Sequence, residues 1–302
     1  MDAEGASGKA GGSHGMRGQP STAYVSNPLM SDFVSDWSPM HDAAIHGQLL
    51  ALNNLINQGC SVNLITADQV SPLHGACLGG HLACASALLK HGAKVDGASL
   101  DWHTPLFNAC ISGNAACVNL LVQNGASPHP VCDLASPIHE AAKRGHTECV
   151  ESLVSHGANF QRSIQHLGTP LYLACKSQQV ECAKKLLQLG ANANDGKYLD
   201  SNLHAAAENC NADLVKLLID FGADTKTRNA DGKRPAELVP PHSTLAQVFL
   251  NREGPLSLMQ LCRLYIRKCV GHKYHHRMTE LPLPEELKCF LLYRQIGFIN
   301  DD

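Results

Sequence analysis

The tetrapeptide Ser38-Pro39-Met40-His41 returns down the chain as Ser71-Pro72-Leu73-His74, Thr104-Pro105-Leu106-Phe107, Ser136-Pro137-Ile138-His139, Thr169-Pro170-Leu171-Tyr172 and Ser201-Asn202-Leu203-His204, at intervals of 33, 33, 32, 33 and 32 residues. A register held this evenly means that one small unit is stacked repeatedly, each copy burying its apolar face only against its neighbours. The expected fold is therefore a quasi-one-dimensional solenoid. Such a stack presents a long surface instead of one enclosed cleft, which points to binding as the function.

Each unit reads as two short helices. The Ser or Thr is a good N-cap, and the proline after it stands at the first helical position, where its missing N–H is no loss. Glycines at 47, 80, 113 and 145 end this inner helix. An outer helix follows with apolar spacing such as Ala85, Leu88, Leu89 or Val118, Leu120, Leu121. A second glycine, at 59, 92, 125, 157, 190 and 222, supplies a left-handed C-cap with the same period. Gln178 and Cys210 replace the inter-helix glycine, and Asn202 replaces the motif proline. These departures predict altered turns and lower local stability in the fifth and sixth units.

Composition fits a helical core, with 44% apolar residues and only 5% aromatics. Residues 254–302 carry 7 Lys/Arg against 5 Asp/Glu, leaving 17 against 22 in the first 253 residues, and no polybasic run argues for nucleic acid or an anionic membrane. Thirteen cysteines without a secretory leader or a long apolar run predict a reducing compartment, with the cytoplasm as the expected location. Cys77, Cys84, Cys110, Cys117, Cys149, Cys175 and Cys182 stand where the helices want a small buried apolar residue, and they are expected to be core thiols. Residues 1–20 hold six glycines and almost nothing to bury, so they are expected to form a disordered tail. Residues 21–37 include Tyr24, Leu29, Met30, Phe33 and Trp37, which is too apolar for a solvated tail. That segment is expected to cap the first unit or to join a binding surface.

The repeated pattern resembles the ankyrin repeat, whose motif positions stand here as Ser71-Pro72-Leu73-His74, Gly80-His81 and Gly92-Ala93. The resemblance runs from about residue 35 to 250 and implies six repeats and a truncated seventh opened by Asn229–Pro235, within a repeat domain of 38–253. The motif histidines at 41, 74, 139 and 204 then serve to hydrogen-bond neighbouring backbone and order the stack. His139-Glu140-Ala141-Ala142 begins like a zinc-protease helix, but Lys143 stands where the second ligand belongs. No nucleophile elbow, phosphate loop or dinucleotide fingerprint occurs, so a non-catalytic protein without cofactor is expected.

After Gly254-Pro255 the period stops. Leu258, Leu261, Cys262 and Leu264-Tyr265 lie at helical spacings of three and four, with cations beside them. Taken alone this is an amphipathic helix that could merely cap the stack. It also resembles the elongin-binding box, here 257–266, whose small residue, Leu, Cys and aliphatic residue are matched by Ser257, Leu258, Cys262 and Ile266. A second element, 281–291, resembles the cullin-5 box: Leu281-Pro282-Leu283-Pro284 predicts an extended strand, followed by a helix with Leu287, Phe290 and Leu291 on one face. Both boxes in this order after ankyrin repeats resemble the ankyrin-repeat-and-SOCS-box family, SOCS standing for suppressor of cytokine signalling. The expected architecture is all-α: an ankyrin-repeat solenoid, then a small helical SOCS box over 254–302.

This resemblance implies a substrate-recognition subunit of a cullin-5/elongin B/C ubiquitin ligase. Elongin would be met by Leu258, Leu261, Cys262 and Ile266. Cullin-5, with its RING subunit, would be met by Leu281, Pro282, Leu283 and Pro284. Stretches such as Ser26–Met30, Val34–Pro39 and Asp101–Cys110 narrow the resemblance to one member of the family, which implies brain-type and ubiquitous mitochondrial creatine kinase as targets and association with mitochondria through the latter. The alternative is an ankyrin module that sequesters a partner without ubiquitination. A zinc site from Cys262, Cys269, His272, His275 and His276 competes for the loop between the boxes, but no paired spacing closes a four-ligand set. Expected substrate contacts are residues that break the repeat pattern without helping the stack: Trp102, His103 and Phe107 on one finger, then Tyr172 and Tyr198. Asp32 and Phe33 would join them if the N-terminal segment folds over the first repeats.

Overall fold

The computed structural model describes residues 37–252, 258–270 and 280–292. The predicted disordered tail, Asp32, Phe33, Ser257, the three histidines of the inter-box loop and the last ten residues lie outside this set. Among the described residues the secondary structure is helical, with no named strand.

Six helical pairs follow the sequence period: α1 Pro39–Ile45 with α2 Leu49–Asn57, α3 Pro72–Leu78 with α4 Leu82–Lys90, α5 Pro105–Ser112 with α6 Ala115–Gln123, α7 Pro137–Arg144 with α8 Thr147–Ser155, α9 Pro170–Lys176 with α10 Val180–Leu189, and α11 Asn202–Glu208 with α12 Ala212–Asp220. The inner helices pack on one another in one layer and the outer helices in a second, so the core is a continuous strip. At the N-termini, Thr104 Oγ1 accepts from the Phe107 N–H and Thr169 Oγ1 from the Tyr172 N–H. A seventh unit is cut short. Its inner helix is a 3-10 turn, Pro235–Leu238, and its outer helix, α13 Thr244–Arg252, buries Leu245 and Phe249 to close the strip.

In four of the six repeats the motif histidine ties the repeat to the next finger. Nε2 of His41 donates to the Val70 carbonyl at 2.9 Å, that of His74 to the His103 carbonyl at 3.0 Å, and that of His204 to the Lys233 carbonyl at 3.0 Å. His139 Nε2 lies between the Arg162 and Gly168 carbonyls, at 3.1 and 3.2 Å. At His74 the Ser71 backbone N–H donates to Nδ1, which makes that nitrogen an acceptor and puts the proton on Nε2.

The expected alteration of turns at Gln178 and Cys210 does not occur. Both adopt the left-handed conformation of the glycines they replace, with φ of 59° and 51° beside 77° at Gly113. Stack geometry imposes this turn, and the side chain adds local strain of about 1 kcal/mol instead of a new path. At Gly113 a side chain is also excluded by space, because its Cβ would lie 2.5 Å from the His146 ring. Asn202 starts α11 where other repeats use proline, and its Nδ2 donates to the Ala193 carbonyl at 2.9 Å. The seven core cysteines are buried and unpaired to one another. Burial pushes Cys117 and Cys149 up to about 11 and Cys182 up to about 12, with Cys77, Cys110 and Cys175 also raised, so these thiols stay protonated and inert.

Candidate functional site

Two surfaces carry the candidate residues. The first is built on α14, Leu258–Val270, and α15, Glu285–Leu291. One side of α14 is held inward. Gln260 Nε2 donates to Asp220 Oδ1 at 3.4 Å, and Leu264 lies against Gly222 at the end of the sixth repeat. Ile266 and Val270 pack with Leu281, Leu283, Phe290, Leu291 and Leu292 in a small second cluster. The Arg263 guanidinium lies over the Phe290 ring, 3.6 Å from its centre.

The opposite side of α14 is open. Leu258 is 77% exposed and Tyr265 69%, and Met259, Leu261, Cys262 and Cys269 are exposed with them. Positions 258, 261, 262, 265 and 269 share one helical face. Contiguous apolar exposure of this kind marks a docking surface more often than a free one. The stripe expected from the sequence therefore divides, since Leu264 turns into the stack and Ile266 into the α14–α15 cluster. Of the expected elongin contacts, Leu258, Leu261 and Cys262 share the open face and Ile266 does not.

The four expected cullin contacts divide in the same way. Leu281 and Leu283 face the cluster, while Pro282 and Pro284 are exposed. The extended strand expected here is replaced by a bend, closed where the Leu283 N–H donates to the Leu281 carbonyl at 2.8 Å. Leu287 stays on the exposed side of α15, while Phe290 and Leu291 form the packed face.

The second surface is the row of fingers between repeats. Trp102 stands at the tip of the third finger with φ of 63° and 49% exposure, its N–H donating to the Ser99 carbonyl. His103 stacks on Phe107 with ring centres 4.3 Å apart. Phe107 is 5% exposed and Tyr172 only 2%, so neither offers a contact surface. Each fills the motif-histidine slot with an aromatic ring that packs in the core, and burial raises the Tyr172 hydroxyl to about 12. Trp102 and His103 thus form the outer part of one group with Phe107 as its support. Tyr198 is 72% exposed at the turn Lys197–Asp200 of the sixth finger. Three repeats, roughly 30 Å of helix spacing, separate it from Trp102. Asp32 and Phe33 fall outside the described residues. Among the described residues no group of three or more His, Cys, Asp or Glu is placed to hold a metal ion, and no helix is long and apolar enough to cross a membrane.

Sequence reasoning missed Arg267. It was one of the cations beside the stripe, yet it is buried between the stack and α15. Its spacing of three from Leu264, which also turns inward, was the available clue.

Comparison with known proteins agrees with this division into a stack and a C-terminal box. The chain matches the ankyrin repeats (3 copies) model over residues 40–132 and 127–197, the ankyrin repeat model over 200–230 and the SOCS box model over 254–292. It is 63% identical to mouse ankyrin repeat and SOCS box protein 9, over 91% of this chain and 95% of that one, and 64% identical to its human counterpart, over 95% and 99%. Human ankyrin repeat and SOCS box protein 11 is 54% identical over 88% of this chain and 82% of its own length. The crystal structure of the human ASB11 ankyrin repeat domain superposes with a TM-score of 0.70 at 54% identity, covering 73% of this chain and all of that one. The ankyrin repeat domain of Bcl-3, at 24% identity and a TM-score of 0.58 over 72% of this chain and 99% of its own, shares the fold. A stack of this period that runs into a matched SOCS box, alike over nearly the whole length of these relatives, makes this chain a member of the ankyrin repeat and SOCS box family.

Proposed function

We propose that the chain recruits elongin B and elongin C through the open face of α14 and cullin-5 with its RING subunit through the segment beginning at Leu281, and that its targets are brain-type and ubiquitous mitochondrial creatine kinase, met in the cytoplasm or at mitochondria. The family and its SOCS box make it a substrate adaptor of a ubiquitin ligase. The observation that carries the proposal is the exposed face of Leu258, Leu261, Cys262 and Tyr265 on a helix whose other side is already packed. An amphipathic helix laid into a partner's groove recognises it through anchors at this spacing, and a compact thiol fits where a larger group would overpack.

The chain contributes proximity and no covalent chemistry. A target held on the stack and a charged conjugating enzyme held through the SOCS box become parts of one assembly, so a target lysine meets the activated ubiquitin as if in an intramolecular reaction. The fingers around Trp102 and His103 are the proposed target surface. The creatine kinases are proposed from the sequence resemblance alone, and the exposure of Trp102 supports the place of contact.

The test is co-expression with elongin B and C, then mixing with brain-type creatine kinase and sizing by light scattering. A complex containing all partners is expected, and the Leu258→Ala, Cys262→Ala variant is expected to lose elongin while keeping its helical circular dichroism. Retention of elongin by that variant would overturn the assigned face. Elongin binding without creatine kinase would leave the adaptor and remove this target.

A further inference from the structure

Arg267 is 6% exposed, and among the described residues no Lys, Asp, Glu or other Arg is buried as deeply. Its guanidinium lies where three helices end. Nη2 donates at 2.9 Å to the carbonyl of Leu187, near the end of α10, and Nη1 donates at 3.0 Å to the carbonyl of Leu291, the last residue of α15. Phe221, which follows the last residue of α12, turns its ring toward the guanidinium at 5.4 Å. The last carbonyls of a helix lack intrahelical donors and carry its negative dipole end, so a buried cation here is matched in both hydrogen bonding and charge.

The position of this side chain joins the two modules. Leu187 belongs to the fifth ankyrin repeat, Phe221 to the sixth, and Leu291 to the SOCS box. Arginine cannot shed its proton, so it can leave this position only by losing both carbonyls or by taking water into an apolar seam. A methionine of similar length would fill much of the same space but take this donor from both carbonyls, of which that of Leu187 keeps the Gly190 N–H, so a modest loss of stability is expected. An apolar chain also has no donor that must meet a set acceptor, so its contacts are less directional and restrict helix rotation less. The planar fork restricts it more, because its two donors must meet carbonyls in different modules at once.

We propose that Arg267 is a positioning residue that locks the SOCS box in one orientation on the ankyrin stack. The consequence rests on the adaptor reading above, although the lock itself does not. With the target on the stack and the ligase machinery on the SOCS box, this angle decides which target lysines come within reach of ubiquitin.

The experiment is a distance measurement by pulsed electron resonance on the full chain, with spin-labelled non-natural residues at the exposed positions 123 in α6 and 286 in α15, alone and with elongin B/C. The wild type is expected to give one narrow distribution. Arg267→Met is expected to keep its helical circular dichroism and its elongin affinity while the distribution broadens and shifts. Arg267→Lys, which keeps the charge but has one rotatable ammonium in place of the two nitrogens of the rigid fork, is expected to broaden it as well, and it decides the question if the methionine variant does not fold. A wild-type distribution in a folded Arg267→Met chain, or in a folded Arg267→Lys chain, overturns the lock. Failure of the wild type to bind elongin would remove the adaptor reading, and the distances measured on the chain alone would still decide whether Arg267 locks it.

Discussion

The histidine ties make the repeat stack acid-sensitive in a defined window. Burial is the main cause that lowers His74 and His139 from 6.5 to about 4, opposed by the carbonyls that their Nε2 groups meet. His41 shifts in the same direction. A histidine whose folded pKa lies below its unfolded one takes up protons preferentially when unfolded. Stability is therefore complete above pH 6.5 and falls as pH drops toward 4. Each shift corresponds to about 3 kcal/mol over the whole window, of which about 2 kcal/mol is already lost at pH 5. For the two residues together this comes to about 4 kcal/mol, a large part of the stability of an ordinary domain. Urea unfolding followed by circular dichroism at pH 7, 6 and 5 measures it, and stopping at pH 5 keeps most carboxylates ionised. The midpoint is expected to fall steadily, and less steeply in His74→Phe or His139→Phe, which place in those slots the side chain the third repeat already carries at Phe107. An unchanged midpoint between pH 7 and 5 would refute the reasoning, as would an unaltered slope in both variants.

Truncation of Phe107 to alanine opens a cavity beneath His103 and is expected to cost about 3–5 kcal/mol in urea unfolding, which marks it as structural. Trp102→Ala, at an exposed tip, is expected to shift unfolding by about 0.5 kcal/mol or less and to weaken target binding in a titration. Replacing Gln178 or Cys210 by glycine relieves a left-handed side chain and is expected to raise stability by about 0.5–1 kcal/mol, visible as a higher unfolding midpoint. The core thiols of Cys77, Cys110 and Cys175 are expected to resist an aromatic disulfide reagent in the native state and to react fully only in denaturant.

Most of the stack was legible because its rules are local. A Ser or Thr cap, a proline in the first turn and glycines at fixed offsets act within a few residues, and their recurrence fixes the helix pairs without knowledge of distant contacts. Where local preference and stack geometry disagree, as at Gln178, Cys210 and Asn202, the neighbours on either side prevail and the turn or helix start is kept. The aromatic replacements Phe107 and Tyr172, expected either as substrate contacts or as packing against the neighbouring repeat, are buried, and the sequence could not choose for a related reason. A broken motif identifies an unusual position but not its depth, and the depth depends on how the adjacent repeat packs.

The amino-acid order by itself determined a repeating helical stack and the point after Gly254-Pro255 where its period stops, since these follow from spacing along the chain, while the two boxes beyond that point were identified by their resemblance to a known family. Only the tertiary structure decided which way α14 turns. Leu258, Leu261 and Cys262 are left open because Leu264 and Arg267 are drawn inward. What draws Arg267 inward is a carbonyl 80 residues earlier, at the end of another helix, a partner that no local pattern encodes.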